Sequence, residues 1–208
     1  MRIAVIANGL QKEELLPQGL ADAAQVQWLD EIMIVQGTDC YIDLLYTATA
    51  ERNNLLKKLQ PAIIIVNAVV SKLEAMPENF IRINGWPGFL KRSVVEAAGN
   101  NAETKVNAEK VFSYFNKTIE WAPDIPGFIS ARVVSMIINE AYFAFDEKIS
   151  GKEEIDTAMK LGTNYPYGPF EWGKKIGLKK VYDLLAELAK TAPLYEAAAL
   201  LKKEALHQ

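Results

Sequence analysis

Side chains able to move a proton near neutral pH are scarce in this chain of 208 residues. The single histidine, His207, stands beside the C-terminus, where a frayed surface position is expected. The single cysteine, Cys40, precedes an apolar run and reads as a buried structural thiol. One cysteine excludes an internal disulfide and fits a reducing, cytoplasmic setting. What remains is carboxylates, amides and a few cations. Glu96 follows Ser93-Val94-Val95 and could serve as an acid or base, or pair with a surface lysine. Asp30 ends an apolar run, where an acid could hold a ribose hydroxyl or simply face water. Lys91-Arg92 could meet phosphates, although such a pair is more commonly a solvated surface. Trp86, Tyr165, Tyr167 and Trp172 could line a groove, but aromatics at turns more often pack on one another. No metal site is expected.

These residues need a scaffold, and the apolar pattern supplies one. Ile3-Ala4-Val5-Ile6-Ala7 is a short continuous apolar run of the kind found in a buried parallel strand. A helix-like stretch follows over residues 11–20, weakened by Pro17 and Gly19. Further strands are predicted over 26–29, 40–46, 62–66, 80–83, 93–98 and 118–121. Helices are predicted over 49–59, with Thr49 as N-cap, and over 102–116. Strands alternating with helices imply a doubly wound α/β domain with a parallel sheet. Beyond Pro123 only helices are expected. The first is nearly all apolar over residues 128–142 and should be buried on most of its surface, with Pro126 in its first turn. Later helical segments cover 178–190 and 192–207.

Composition bounds the partners. Half of the residues are hydrophobic and 24% are charged, as in an ordinary globular protein. A net charge of −3 provides no basic field for nucleic acid. No apolar run approaches membrane-spanning length, so no membrane partner is expected.

The sequence PDIPGFISARVVSMIINEA, then KEEIDTAMKLGTNYPYGPFEW, then GLKKVYDLLAEL, resembles the C-terminal helical domain of the L-3-hydroxyacyl-CoA dehydrogenases, with its pieces in the family's order over residues 123–188. The resemblance implies a Rossmann-like, NAD-binding-type domain over residues 1–122 and an all-α domain over 123–208. It also implies a role in fatty-acid metabolism, NAD as cofactor, an acyl-CoA or nucleotide ligand, and a homodimer formed through the helical domain.

Position by position, the family's site is mostly replaced. Its G-x-G-x-x-G turn falls on Ala7-Asn8-Gly9-Leu10-Gln11-Lys12, which keeps Gly9 alone. A side chain at Ala7 or Lys12 is expected to obstruct the turn or the helix–strand packing, and Glu13 and Glu14 to oppose a pyrophosphate. Asp30 takes the place of the ribose-binding acid. The long helical excursion that covers substrate in the family is missing from residues 30–39. Glu96 falls on the family's catalytic glutamate, but Asn84 falls on its histidine. Val69 falls on its serine, with Ser71 a slipped substitute, and Ala131 on its asparagine, although Arg132 is kept. Two functions follow as expectations. One is an NAD-dependent oxidoreductase with impaired or lost activity. The other is a non-catalytic module on the same fold that binds an acyl-CoA, a nucleotide or a protein partner.

Overall fold

The computed structural model describes Met1–His207. By internal contacts the chain divides into two compact units, Met1–Phe128 and the residues from Ile129 onward.

The first unit is built on β1 (Arg2–Ile6), β2 (Gln25–Leu29), β3 (Cys40–Asp43), β4 (Ile63–Asn67), β5 (Phe80–Ile83), β6 (Val94–Ala98) and β7 (Thr118–Trp121). They form one sheet in the order β2-β1-β3-β4-β5-β6-β7. Every neighbouring pair is parallel except β5 with β6, which runs antiparallel. Helices α1 (Gly9–Leu15), α2 (Ala50–Lys57) and α3 (Ala102–Ser113) supply its covering. One face packs Leu15 of α1 and Ala108, Val111 and Phe112 of α3 against Ile3, Val5, Ile42 and Ile65. The other packs Leu56 of α2 against Ala4, Ile6, Tyr41 and Ile64. Strands buried from both sides must be apolar throughout rather than alternating. Helices on both faces of a mostly parallel sheet make the doubly wound α/β class a finding.

Several boundaries move for local reasons. Helix α1 stops at Leu15 instead of reaching residue 20, since Pro17 has no amide to donate into a further helical turn. Strand β3 stops at Asp43 instead of residue 46. There the Asp43 carboxylate turns the chain by accepting the Leu45 amide at 3.1 Å. Thr49 does cap α2, accepting the Arg52 amide at 3.2 Å. Cys40 is fully buried, as expected, and burial pushes its thiol well up.

The unit closes on Arg82, which β5 carries into the interior with no solvent exposure. Its guanidinium donates to Asp124 Oδ1 at 2.6 Å, to the Ile125 carbonyl at 2.6 Å and to the Ala68 carbonyl at 3.1 Å. It also lies over the Phe128 ring, 4.2 Å from the centroid. Asp124 takes the Leu73 amide as well, at 3.0 Å, and Gly127 N donates to Val69 O at 2.8 Å. Pro126 therefore belongs to an anchored turn, not to a helix. Gly127 and Phe128 follow it with φ of 86° and 50°, outside helical backbone.

The second unit contains α4 (Ser130–Asp146), α5 (Lys152–Thr163), α6 (Pro169–Ile176), α7 (Leu178–Ala189) and α8 (Ala199–Leu206). No strand occurs in it among the described residues. The expected helix over 192–207 is instead a 3-10 turn, Pro193–Tyr195, followed by α8. Buried Asn139 of α4 holds the joint between them, donating to Glu196 O at 2.9 Å and accepting Ala198 N at 2.8 Å. Helix α4 is exposed along one stripe, at Val133, Glu140, Phe143 and Asp146, and is buried or half-buried elsewhere. Asp156 of α5 caps α6 from a distance, accepting Phe170 N at 2.8 Å and Glu171 N at 3.2 Å. A Cβ on Gly168 would fall 2.3 Å from its Oδ1, so this close approach requires glycine. No helix of the described residues is long and apolar enough to cross a membrane.

Removing the guanidinium leaves a carboxylate and two carbonyls without their donor. Arg82→Ala is expected to lower the unfolding free energy by about 3–5 kcal/mol, the usual cost of breaking a buried pair from one side. Urea denaturation measures it. A loss below about 1 kcal/mol, within the range of a surface pair, would show that the turn is anchored elsewhere.

Candidate functional site

The carboxyl ends of β1, β3, β4 and β5 lie along one edge of the sheet, the edge on which open α/β sheets receive ligands. Here that edge is bound together by carboxamides. At the end of β1, Asn8 caps α1, and its Oδ1 accepts the Gln11 amide at 2.9 Å. Gln11 returns the bond, its Oε1 accepting the Asn8 amide at 3.1 Å. Its Nε2 reaches across to the Leu44 carbonyl beyond β3, at 2.7 Å. Asn67, at the end of β4, donates to that same carbonyl at 3.2 Å and to Gly85 O at 3.2 Å, and accepts Gly85 N at 2.9 Å. A Cβ on Gly85 would fall 2.7 Å from Asn67 Cγ, so glycine is required here by proximity.

Beyond Gly85 stands the pair that the sequence comparison singled out. Asn84 and Glu96 come together in the interior, at 2% and 6% exposure, with Asn84 Nδ2 donating to Glu96 Oε2 at 2.8 Å. Strand pairing holds them, since Asn84 N donates to Glu96 O at 2.9 Å. Glu96 is thus an interior side chain and not a surface one. Partial burial pushes the Arg92 guanidinium down, and the Glu96 carboxylate acts against that shift. An amide neither takes nor gives a proton near neutral pH, so Asn84 can orient the Glu96 carboxylate but cannot itself exchange a proton.

The remaining predicted residues are dispersed. Gly9 and Asp30 are both exposed, beyond the carboxyl ends of β1 and β2. A Cβ on Gly9 would meet nothing within 4 Å, so close packing does not demand that glycine. Lys12 lies over the Trp28 ring at 5.0 Å and does not wedge the helix off the strand. Glu14 does not face the turn. It is buried, and both its oxygens accept Gly88 N at 2.8 Å. Val69 is buried, with its carbonyl engaged by Gly127. In the second unit Ala131 is fully buried, and Arg132 donates to the Tyr195 hydroxyl at 2.9 Å. Trp86 is buried, while Tyr165 and Tyr167 both pack edge-on against Trp172.

Sequence reasoning placed Asn67 in the turn that resembles the family's Asn-Thr-Ser-Ser segment but gave no role to Gln11, Arg82 or Lys117. Lys117 is 3% exposed and donates to Leu90 O and Arg92 O, each at 2.7 Å, and to Gln18 Oε1. Burial pushes its ammonium down to about 8. These contacts pin the backbone that carries Lys91 and Arg92. Arg82 did leave a signal, a charge inside an otherwise apolar strand. The Asn8–Gln11 capping box has a local signature, but the reach of Gln11 to Leu44 and of Asn67 to Gly85 left none, because those partners are backbone groups distant in sequence.

Residues 127–207 match the family model described as the 3-hydroxyacyl-CoA dehydrogenase C-terminal domain. The 3-hydroxyadipyl-CoA dehydrogenase of Escherichia coli (strain K12) is 41% identical over 92 residues, 43% of this chain and 19% of that protein. The mitochondrial hydroxyacyl-coenzyme A dehydrogenase of Homo sapiens is 28% identical over 191 residues, 84% of this chain and 61% of that protein. Over residues 127–207 the chain carries the C-terminal domain of the 3-hydroxyacyl-CoA dehydrogenases, and along most of its length it is similar to members of that family. It spans less than two thirds of the length of either of these curated relatives. The crystal structure of (S)-3-hydroxybutyryl-CoA dehydrogenase from Ralstonia eutropha superposes with a TM-score of 0.76 over 99% of this chain and 93% of that one. At 19% identity this shows a shared fold.

The family's cofactor would meet a turn that is only partly closed on itself, with the Gly9 and Leu10 amides open between two bonded ones. A pyrophosphate needs free backbone amides at the helix N-terminus. The Asn8 and Gln11 amides are consumed by the capping box, and Gln11 crosses to Leu44. Among the described residues no group of three or more His, Cys, Asp or Glu could hold a metal ion.

Gly85→Ala is expected to cost about 1–3 kcal/mol, as overpacking of a tight site does. Much of that cost should vanish in an Asn67→Ala background, where the clashing amide is gone. A double-mutant cycle by urea unfolding checks it, and additive costs would contradict the contact.

Proposed function

We propose that this chain is a dehydrogenase relative in fatty-acid metabolism that has lost NAD-dependent turnover of 3-hydroxyacyl-CoA and works as a binding protein on the inherited fold. The observation that carries this reading is the buried Asn84–Glu96 pair at 2.8 Å. Moving a proton to or from a substrate hydroxyl needs a group that titrates near the working pH, and the carboxamide does not. Losing such a group costs about a hundredfold to ten-thousandfold in rate, before any loss of the cofactor is counted.

The ligand class follows from the family, an acyl-CoA or a nucleotide, with a protein partner as the alternative. The exposed apolar residues Ile129, Val133 and Phe143 on and beside α4 support pairing of two copies through the helical unit. The one buried cysteine fits a reducing, cytoplasmic setting.

Purified protein mixed with acetoacetyl-CoA and NADH should show no absorbance loss at 340 nm above the enzyme-free rate (a wavelength of about 340 nm follows the reduced nicotinamide). Turnover that Glu96→Gln abolishes would overturn the proposal. Thermal shift then sorts the ligands, since a compound at about a hundred times its Kd adds about 2.7 kcal/mol of stability. An acyl-CoA is expected to raise the melting temperature, and no shift with any CoA ester or nucleotide would leave the protein-partner reading. Light scattering should give the mass of two chains, and a monomer would contradict the pairing.

A further inference from the structure

We infer that the free edge of β2 docks the same edge of a second copy of this chain, the two strands running antiparallel about a two-fold axis at Gln27. The inference goes beyond the proposed function and does not depend on whether the chain turns over a substrate.

Strand β2 ends the sheet and pairs there with β1. Gln25 N donates to Met1 O at 3.3 Å, and Leu29 O accepts Ala7 N at 3.0 Å. In a parallel pair the peptide groups of alternate residues point to opposite sides. Gln25, Gln27 and Leu29 therefore face β1, while the amides and carbonyls of Val26 and Trp28 face outward. Such a row of open groups is a template for a further strand. The features that usually blunt an edge are missing from β2, which has no charged residue, no proline and no bulge in its register with β1. The opposite edge, β7, carries the exposed charge of Glu120.

A two-fold axis at Gln27 uses the outward groups of both copies. Val26 exchanges hydrogen bonds with the second copy's Trp28, and Trp28 with its Val26. A β-branched side chain then stands beside an aromatic one on one face, a favourable cross-strand pair. On the other face Gln27 meets its own counterpart. Its carboxamide is exposed and has no bonded partner among the described residues, and two carboxamides can each donate and accept. Asp30 falls opposite Ala24, so no like charges meet. This match of the edge to itself selects a second copy over an unrelated strand. The joint is one strand wide, well short of the roughly 1,200–2,000 Å² of a stable interface. It therefore forms in concentrated protein and leaves the mass in dilute solution to the helical unit.

The test is a disulfide across the axis. The central residues of such a pair have Cα atoms about 4.5 Å apart, within reach of a disulfide. Gln27→Cys in oxidised glutathione is expected to give a two-chain band on a non-reducing gel. Cys40 is fully buried and does not compete. Gln25→Cys, exposed on the same face, is the control. The register sets its two thiols about four residues, or roughly 13 Å, apart along the strands, so its crosslinking is expected to be at least about tenfold slower. No crosslink with Gln27→Cys, or equal rates for the two variants, overturns the inference. A second measurement needs no thiol. Gln27→Lys or Gln27→Glu alone sets like charges face to face, and a mixture of the two sets unlike charges together. Sedimentation of concentrated protein is expected to show more association in the mixture than in either variant alone, and no difference overturns the inference.

Discussion

The guanidinium of Arg82 has no contact with water, and the first unit is arranged so that it does not need any. A buried cation is tolerated only when opposite charge and hydrogen-bond acceptors surround it. Asp124, two carbonyls and the face of Phe128 meet that demand, and all but one of these come from the turn at residues 124–128. The turn cannot move without stranding the charge. The point where the chain leaves the sheet is therefore set by solvation of one side chain on β5. Phe128 at positive φ is accommodated within the same arrangement.

The carboxyl edge of the sheet obeys a related rule with uncharged groups. Strand ends leave backbone donors and acceptors that need partners. In a ligand-binding sheet some of them await the ligand. Here Asn8, Gln11 and Asn67 take up much of that demand, and Glu14 satisfies Gly88 N from α1. At Asn84 the same chemistry appears in the interior, with a carboxamide donating to Glu96. Amide groups keep geometry without titrating, so a site built from them can retain its shape while losing proton transfer. That is the physical content of the family resemblance in this chain, with inherited positions and altered chemistry.

The helical unit shows the same dependence on remote caps. Asp156 supplies the start of α6 from α5, and Asn139 closes the joint before α8. Both are buried polar residues whose side chains are satisfied by backbone groups far along the chain. They account for motif residues that otherwise look like candidates for chemistry. Asp156 in IDTAMK and Gly168 in NYPYGPFEW serve each other, carboxylate against bare Cα.

By itself the sequence determined the architecture: continuous apolar runs for doubly covered strands, an alternation that forces a parallel sheet, helices alone after Pro123, and Glu96 opposite an asparagine. The first three are periodic or local, so a single chain displays them, while the match of Glu96 and Asn84 to one another's places came from the family resemblance. Element ends were less legible. The end of β3 depends on how the Asp43 carboxylate folds back on Leu45, and the break before α8 depends on Asn139. Only the tertiary structure decided that Glu14 points inward, that Lys12 lies harmlessly on Trp28, and that Gln11 spans from one strand end to another. Side-chain direction and long-range hydrogen bonds depend on which backbone groups happen to lie within about 3 Å, and no spacing along the chain encodes that distance.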